Sequence, residues 1–132
     1  MKLLIEEGDS DQSGPIWDGA DAIATSRLAF AEARAALASA RRSNRLSRTG
    51  LGNAKNELEE RFAELDIVEV APELVRSAGD LAERHGLRGY DAVHLASAVA
   101  LDSPDLVLAT WDRDLARAGR SEGLDLAGIR LE

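Results

Sequence analysis

Short apolar runs alternate with helical stretches along this chain, and that alternation constrains the fold more than any other feature. Ala22-Ile23-Ala24-Thr25, Asp66-Ile67-Val68-Glu69-Val70, Leu106-Val107-Leu108-Ala109 and the run from Leu126 to Ile129 read as strands. The run at Leu106 is continuously apolar, the pattern of a strand buried on both faces of a parallel sheet. Between these runs the spacing turns helical. Ser26 is placed to cap an Ala-rich helix from Arg27 to about Arg42. A polar connection from Asn44 to Gly52 precedes a second helix between Asn53 and Leu65. Pro72 suits the first turn of a helix carrying Leu74, Val75, Ala78, Leu81 and Ala82, and Gly86 ends it. Tyr90 to Leu101 is apolar on most faces and predicts a buried helix, and Pro104-Asp105 makes a turn. Asp112 to Glu122 is a short helix ended by Gly123. Leu3 to Glu7 reads as the end of an element already under way, and Gly8 to Gly19 as a loop or a short irregular helix. This order predicts an α/β fold with a largely parallel central sheet flanked by helices. With 132 residues and no internal repeat or linker, a single domain spanning 1–132 is expected.

What is missing narrows the chemistry. Cysteine is absent, which excludes a disulfide scaffold, a thiolate zinc site and a cysteine nucleophile, and fits a reducing cytoplasm. Aromatic residues make up only 4%, so the core is built from Ala, Leu, Val and Ile and offers no base-stacking platform. The only lysines are Lys2 and Lys55, and no phosphate-binding Gly-Lys loop is present. No lysine follows Lys55, which discounts a phospho-acceptor receiver domain. The two histidines, His85 and His94, lack the spacing of a helical zinc pair, and His94 reads as a packed or hydrogen-bonded residue. There is no Gly-x-Ser-x-Gly elbow. No membrane or export segment is expected: Ala92 to Leu101 is too short to span a bilayer, and Glu6 and Glu7 interrupt the apolar start.

Carboxylates remain. Glu32 falls on the less charged flank of its helix with Leu28, Ala35 and Ala36, away from Arg27, Arg34 and Arg41. It is either a ligand or a partly exposed helix-edge residue. Asp91 opens the most apolar helix, where it complements the helix dipole or serves a dry site. Asp112 comes after the apolar strand and Thr110, at the carboxyl end of a parallel strand where open α/β sheets bind ligands. It is a ligand or an N-cap, and Asp114 is its rival for both roles. Carboxylates meeting at one sheet edge without His or Cys form a hard oxygen site of the kind Mg²⁺ or Mn²⁺ prefers. Such ions commonly act on phosphodiesters.

These segments resemble a known family. Arg88-Gly89-Tyr90-Asp91-Ala92-Val93-His94-Leu95-Ala96-Ser97-Ala98 resembles the third-acid motif of PIN-domain ribonucleases of the VapC toxin type. Ala109-Thr110-Trp111-Asp112-Arg113-Asp114-Leu115 resembles the fourth-acid motif, and Thr25 to Arg34 the second-acid helix. The resemblance implies a PIN fold, Mg²⁺- or Mn²⁺-dependent RNA cleavage, homodimerisation and inhibition by a VapB-like antitoxin. By position it makes Glu32, Asp91 and Asp112 metal ligands and Asp114 a further carboxylate, with Thr110 and Ser26 in support. One departure stands out. The family opens on a strand ending in an Asp-Thr-Ser-like segment whose Asp is a central ligand, and Lys2 to Glu7 resembles the segment after that strand. The expectation is therefore a sheet whose first strand is missing or truncated and a site without its first acid, from a start codon placed inside a longer gene or a truncated gene. Asp9 and Asp11 lie in the wrong loop to stand in.

Net charge adds a further element. The chain carries −8 overall, yet six arginines fall between positions 27 and 48 with Glu32 the only acid among them. Arg27, Arg34, Arg41, Arg42 and Arg45 form a basic patch for RNA phosphates or an acidic antitoxin segment, or else a solvated surface, or salt bridges to the Glu57-Leu58-Glu59-Glu60 run. Two functions are consistent with these features: a metal-dependent endoribonuclease toxin, or a truncated, catalytically impaired protein that binds an antitoxin or partner subunit.

Overall fold

A computed structural model describes residues 1–5, 20–129 and 131. Glu6, Glu7, Asp9, Asp11 and Trp17, with the expected loop from Gly8 to Gly19, lie outside the described residues. The chain builds β1 (Lys2–Ile5), β2 (Ala22–Ser26), α1 (Leu28–Arg42), α2 (Arg48–Glu64), β3 (Asp66–Val68), α3 (Pro72–His85), α4 (Gly89–Leu101), β4 (Leu106–Thr110), α5 (Arg113–Ser121) and β5 (Asp125–Gly128). The strands form one sheet in the order β3-β2-β1-β4-β5, and every pairing is parallel.

The central strand corrects the expectation of a sheet without its first strand. Lys2–Ile5 pairs with β2 on one side and with β4 on the other, Leu4 opposite Ala24 and Leu108. Leu3 and Leu4 are fully buried and point to opposite faces. Three apolar residues, Leu3 to Ile5, carry no periodicity that tells a buried strand from part of a helix, so the sequence showed only the end of an element.

Leu4, Ala24 and Leu108 share the larger core with Leu74, Ala78 and Leu81 of α3, Leu95 and Ala98 of α4, and Leu115 of α5. Leu3, Ile5 and Ala109 form a second cluster on the other face. α3 begins at Pro72 and stops at Gly86, whose φ of 67° supplies the left-handed C-terminal turn. α2 starts at Arg48, earlier than the Asn53 expected. Ser47 caps it by accepting the Gly50 N–H at 2.9 Å, and the cap overrides the weak helix propensity of Gly50 and Gly52. α1 and α2 form an antiparallel hairpin closed by an edge-to-face contact of Phe30 and Phe62, ring centroids 5.3 Å apart. Among the described residues no helix is long and apolar enough to cross a membrane.

Candidate active site

The chain order of the sheet reverses beside its centre. β1 leads to β2 on one side, whereas β4, on the other side, leads outward to β5. In open α/β sheets the crevice outside the carboxyl ends of the strands at such a reversal is where ligands bind. Ile5 pairs with Ala109 there, and one residue on lies Thr110.

Thr110 is fully buried at the end of β4 and organises the turn into α5. Its Oγ1 accepts the Asp112 N–H at 3.0 Å. The Asp112 Oδ1 in turn accepts the Leu115 N–H at 2.8 Å, so Asp112 is the N-cap of α5. Both readings of Asp112 are compatible: the cap engages one carboxylate oxygen, and the exposed side chain keeps a second. β5 supports this turn from outside. Gly128 has a φ of 103°, and a Cβ there would lie 2.2 Å from the Thr110 carbonyl oxygen. Only glycine permits that approach, which lets the Ile129 N–H donate to the same oxygen at 2.9 Å.

Asp91 reaches this edge by a different route. α4 packs over the sheet, and four residues join its end at Leu101 to the start of β4. The helix therefore runs against the strand, and its first turn lies about 18 Å from its last, toward the strand's carboxyl end. Asp91 sits half-buried in that turn, where the helix dipole favours an anion. Glu32 is exposed about one turn into α1, which leaves the same edge after β2. Asp114 is exposed in the first turn of α5. All four carboxylates thus belong to elements that begin at the carboxyl edge. Among the described residues, no group of three Asp, Glu or His side chains is close enough to hold one ion. Glu32 faces solvent, and Asp112 is turned into its cap.

Two hydroxyls brace the neighbouring strand ends. Ser26 is fully buried and accepts the Leu28 N–H at 3.2 Å from one position before the N-cap, which Arg27 occupies. Thr25, also buried, donates to the Ile5 carbonyl at 2.6 Å and pins the end of β1. Sequence reasoning passed over Thr25 and Gly128. The only signal for Thr25 was a pair of hydroxyl residues closing an apolar strand, and for Gly128 there was none.

Dry polar groups flank the acids. His94 lies one turn after Asp91, fully buried, with no hydrogen-bond partner among the described residues for either ring nitrogen and the Tyr90 ring 4.4 Å away, edge-on. It is packed rather than hydrogen-bonded, and burial lowers its pKa to about 4. The Trp111 indole N–H, next to Asp112, is also buried with no partner among the described residues. His85 plays no part here. Its Nε2 lies 2.7 Å from Glu122, which also accepts from Arg84 at 2.9 Å. The His85 and Arg84 contacts hold the Glu122 carboxyl below its ordinary range.

The arginines divide. Arg27 is tied to Glu69 through two hydrogen bonds, one of 2.9 Å from Nε, and this contact holds the Glu69 carboxyl low. Glu57 pairs with Arg61 of its own helix. Among the described residues, Arg34, Arg41, Arg42, Arg45 and Arg48 make no ion pair with an acid, so the expected bridges to the Glu57–Glu60 run are not formed by them.

Residues 1–121 match the PIN domain family. The chain is 43% identical over 132 residues to the Mycobacterium tuberculosis proteins named ribonuclease VapC45 and ribonuclease VapC49, covering all of this chain and 92% of each relative. Its fold resembles that in VapBC2 from Rickettsia felis, solved with a promoter DNA fragment, with a TM-score of 0.66 and 16% identity over 98% of this chain and all of that one. VapBC-5 from M. tuberculosis gives a TM-score of 0.65 and 17% identity over 97% and 98% of the two chains. The order of the sheet, the carboxylates at its carboxyl edge and these matches agree: the chain belongs to the PIN-domain family, alongside the VapC ribonucleases.

Proposed function

We propose that this chain is a metal-dependent endoribonuclease toxin of a toxin–antitoxin pair, hydrolysing RNA phosphodiester bonds at the carboxyl edge of its sheet. The observation that carries the proposal is the Thr110–Asp112 turn at the β1/β4 reversal, with Asp91 heading α4 toward the same edge. The names of the relatives support RNA cleavage, and the geometry supports this edge as its site.

The donor set suits Mg²⁺ or Mn²⁺: carboxylates and a hydroxyl, no thiol in the whole chain, and the nearest histidine on α4 buried. Asp91 and Asp112 would hold the ion, and Glu32 and Asp114 would add negative charge along the same edge without reaching it in this arrangement. When bound, such an ion activates water and stabilises the leaving oxygen. The protein's own part is positional. Thr110 fixes the backbone of Asp112, Gly128 and Ile129 hold the Thr110 carbonyl, and Ser26 and Thr25 set the start of α1 and the end of β1. The negative edge repels an RNA backbone until a cation neutralises it, which reconciles a net charge of −8 with a polyanionic substrate. A VapB-like antitoxin as inhibitor, a homodimeric state and a cytoplasmic setting belong to the same reading.

Incubation of the purified chain with labelled RNA in Mg²⁺ or in EDTA tests it. Cleavage in Mg²⁺ that stops in EDTA is expected, together with Mn²⁺ binding seen by paramagnetic resonance. Antitoxin binding with neither cleavage nor Mn²⁺ binding would overturn the enzymatic reading and leave a partner-binding protein.

A further inference from the structure

The basic patch is not spread evenly along the α1–α2 hairpin. Its uncompensated part is the tip. Arg41, Arg42, Arg45 and Arg48 surround the turn between the helices, and no acid occurs from position 33 to position 56. The hairpin is antiparallel, so the acids of α2 lie beside the start of α1. Glu59 lines the groove with Arg27 and Phe30, at the far end from the tip. From Arg48 to Glu57 along α2 is about 13 Å, beyond the screening length of about 8 Å at physiological salt. Among the described residues the tip is therefore an isolated positive pole on an acidic molecule.

Its chemistry suits phosphates. Arg42, Arg45 and Arg48 are exposed. Arg45 is held in place: its Nε donates to Ser43 Oγ at 2.8 Å, and Ser43 Oγ donates to the Ser39 carbonyl at 3.0 Å. The remaining guanidinium N–H groups of Arg45 are left for a ligand. Leu46 is the only large apolar residue between Arg41 and Arg48, so the tip has no apolar core of the kind protein interfaces use. Arginines interleaved with Ser43, Asn44 and Ser47 are instead the donor set that contacts nucleic-acid backbones.

Position makes the tip informative. α1 leaves the catalytic edge at Leu28 and reaches Arg42 about 21 Å further along its axis. Arg34 lies between, on the same side of the helix as Arg41. We infer that the α1–α2 hairpin tip is a second contact for the RNA backbone, so that the favoured substrate is an RNA long or folded enough to reach from the cleavage edge to the tip. At about 3.4 Å per stacked nucleotide, that span takes about six nucleotides. This rests on the endoribonuclease reading and adds the class of RNA to it.

The test measures RNA binding in the Asp91→Asn background by fluorescence anisotropy, with a stem-loop of about 20 nucleotides and with a trinucleotide, between about 50 and about 200 mM NaCl. Combining Arg42→Gln, Arg45→Gln and Arg48→Gln should weaken stem-loop binding about tenfold at low salt and make the slope of log K against log salt shallower by about 2. The stem-loop's advantage over the trinucleotide should shrink by the same factor. Arg76→Gln, Arg117→Gln and Arg120→Gln, exposed and of equal total charge, serve as the comparison. An unchanged slope, or an equal change in the comparison protein, overturns the inference. So does an unchanged RNA slope with lost binding to a polyglutamate peptide, which would assign the tip to an acidic protein segment. Cleavage of the stem-loop by the unsubstituted chain in Mg²⁺ is read alongside. If it is cut while the slope is unchanged, only the tip contact fails; if it is neither bound nor cut, the endoribonuclease reading fails first.

Discussion

Replacing His94 by Leu should remove a specific part of the acid sensitivity of this fold. His94 is fully buried, finds no hydrogen-bond partner among the described residues, and has a pKa lowered to about 4 by desolvation. In the unfolded chain the imidazole titrates near 6.5. The unfolded state therefore binds the proton first as pH falls. Stability is full above about pH 6.5 and declines through the window down to about pH 4, where the folded state also binds the proton. At about 1.4 kcal/mol per unit, the descent from pH 7.5 to pH 4.5 spans about two units of this window and costs about 2.5 kcal/mol. Urea unfolding followed by circular dichroism measures it. Glu122 also has a lowered pKa, but its contribution falls away at lower pH and is common to both proteins, so the difference between His94→Leu and the parent isolates the histidine. The parent should lose about 2.5 kcal/mol more than His94→Leu over this range, and at pH 7.5 the variant should be at least as stable, since Leu removes two unsatisfied polar atoms. Parallel pH curves would refute the reasoning.

Three further outcomes are expected at the site. Asp112→Asn should keep the α5 cap, with a Tm near the parent's by calorimetry, while RNA cleavage is lost; Asp112→Ala should lose cleavage and about 1 kcal/mol of stability besides. Equal stability of the Asn and Ala variants would show that the cap contributes nothing. Gly128→Ala should cost at least about 2 kcal/mol in urea unfolding, because its Cβ meets the Thr110 carbonyl and must displace the end of β5. A loss under about 0.5 kcal/mol, on the order of a surface change, would contradict that account. Thr110→Val should lower cleavage more than stability, since it removes the acceptor of the Asp112 N–H while preserving shape, and a kcat unchanged from the parent's would count against it.

The parts of the fold legible in the sequence are those where one local rule had no competitor. Leu106–Ala109 is continuously apolar and short, and it forms the parallel strand it predicts. Gly86 and Pro72 bound α3 because each has a conformation the helix end needs. Asp112 was readable as a cap, and it is one. Lys2–Ile5 failed for the opposite reason: its three apolar residues satisfy a helix face and a two-sided strand equally, and only the two neighbouring strands decide between them. The start of α2 was hidden because Gly50 and Gly52 signal a turn, while the Ser47 cap and packing of the hairpin outweigh their cost. At the site, residue types were legible and their mutual geometry was not. Which oxygen of Asp112 is engaged, how Glu32 faces, and how closely Gly128 presses on Thr110 depend on backbone paths set by elements far apart in the chain. Whether the arginine patch bridges the Glu57 run could not be judged from sequence either, since only the antiparallel hairpin shows that Arg41, Arg42 and Arg45 lie at the end away from those acids.

On the proposed function, Asp91 at the head of α4 serves a catalytic edge and does more than offset a helix dipole. Cleavage of a labelled RNA by the Asp91→Asn protein in Mg²⁺, with its fold checked by circular dichroism, tests this most directly. An intact spectrum is expected, with no cleavage above background under conditions where the parent cuts. Cleavage at the parent's rate would contradict it.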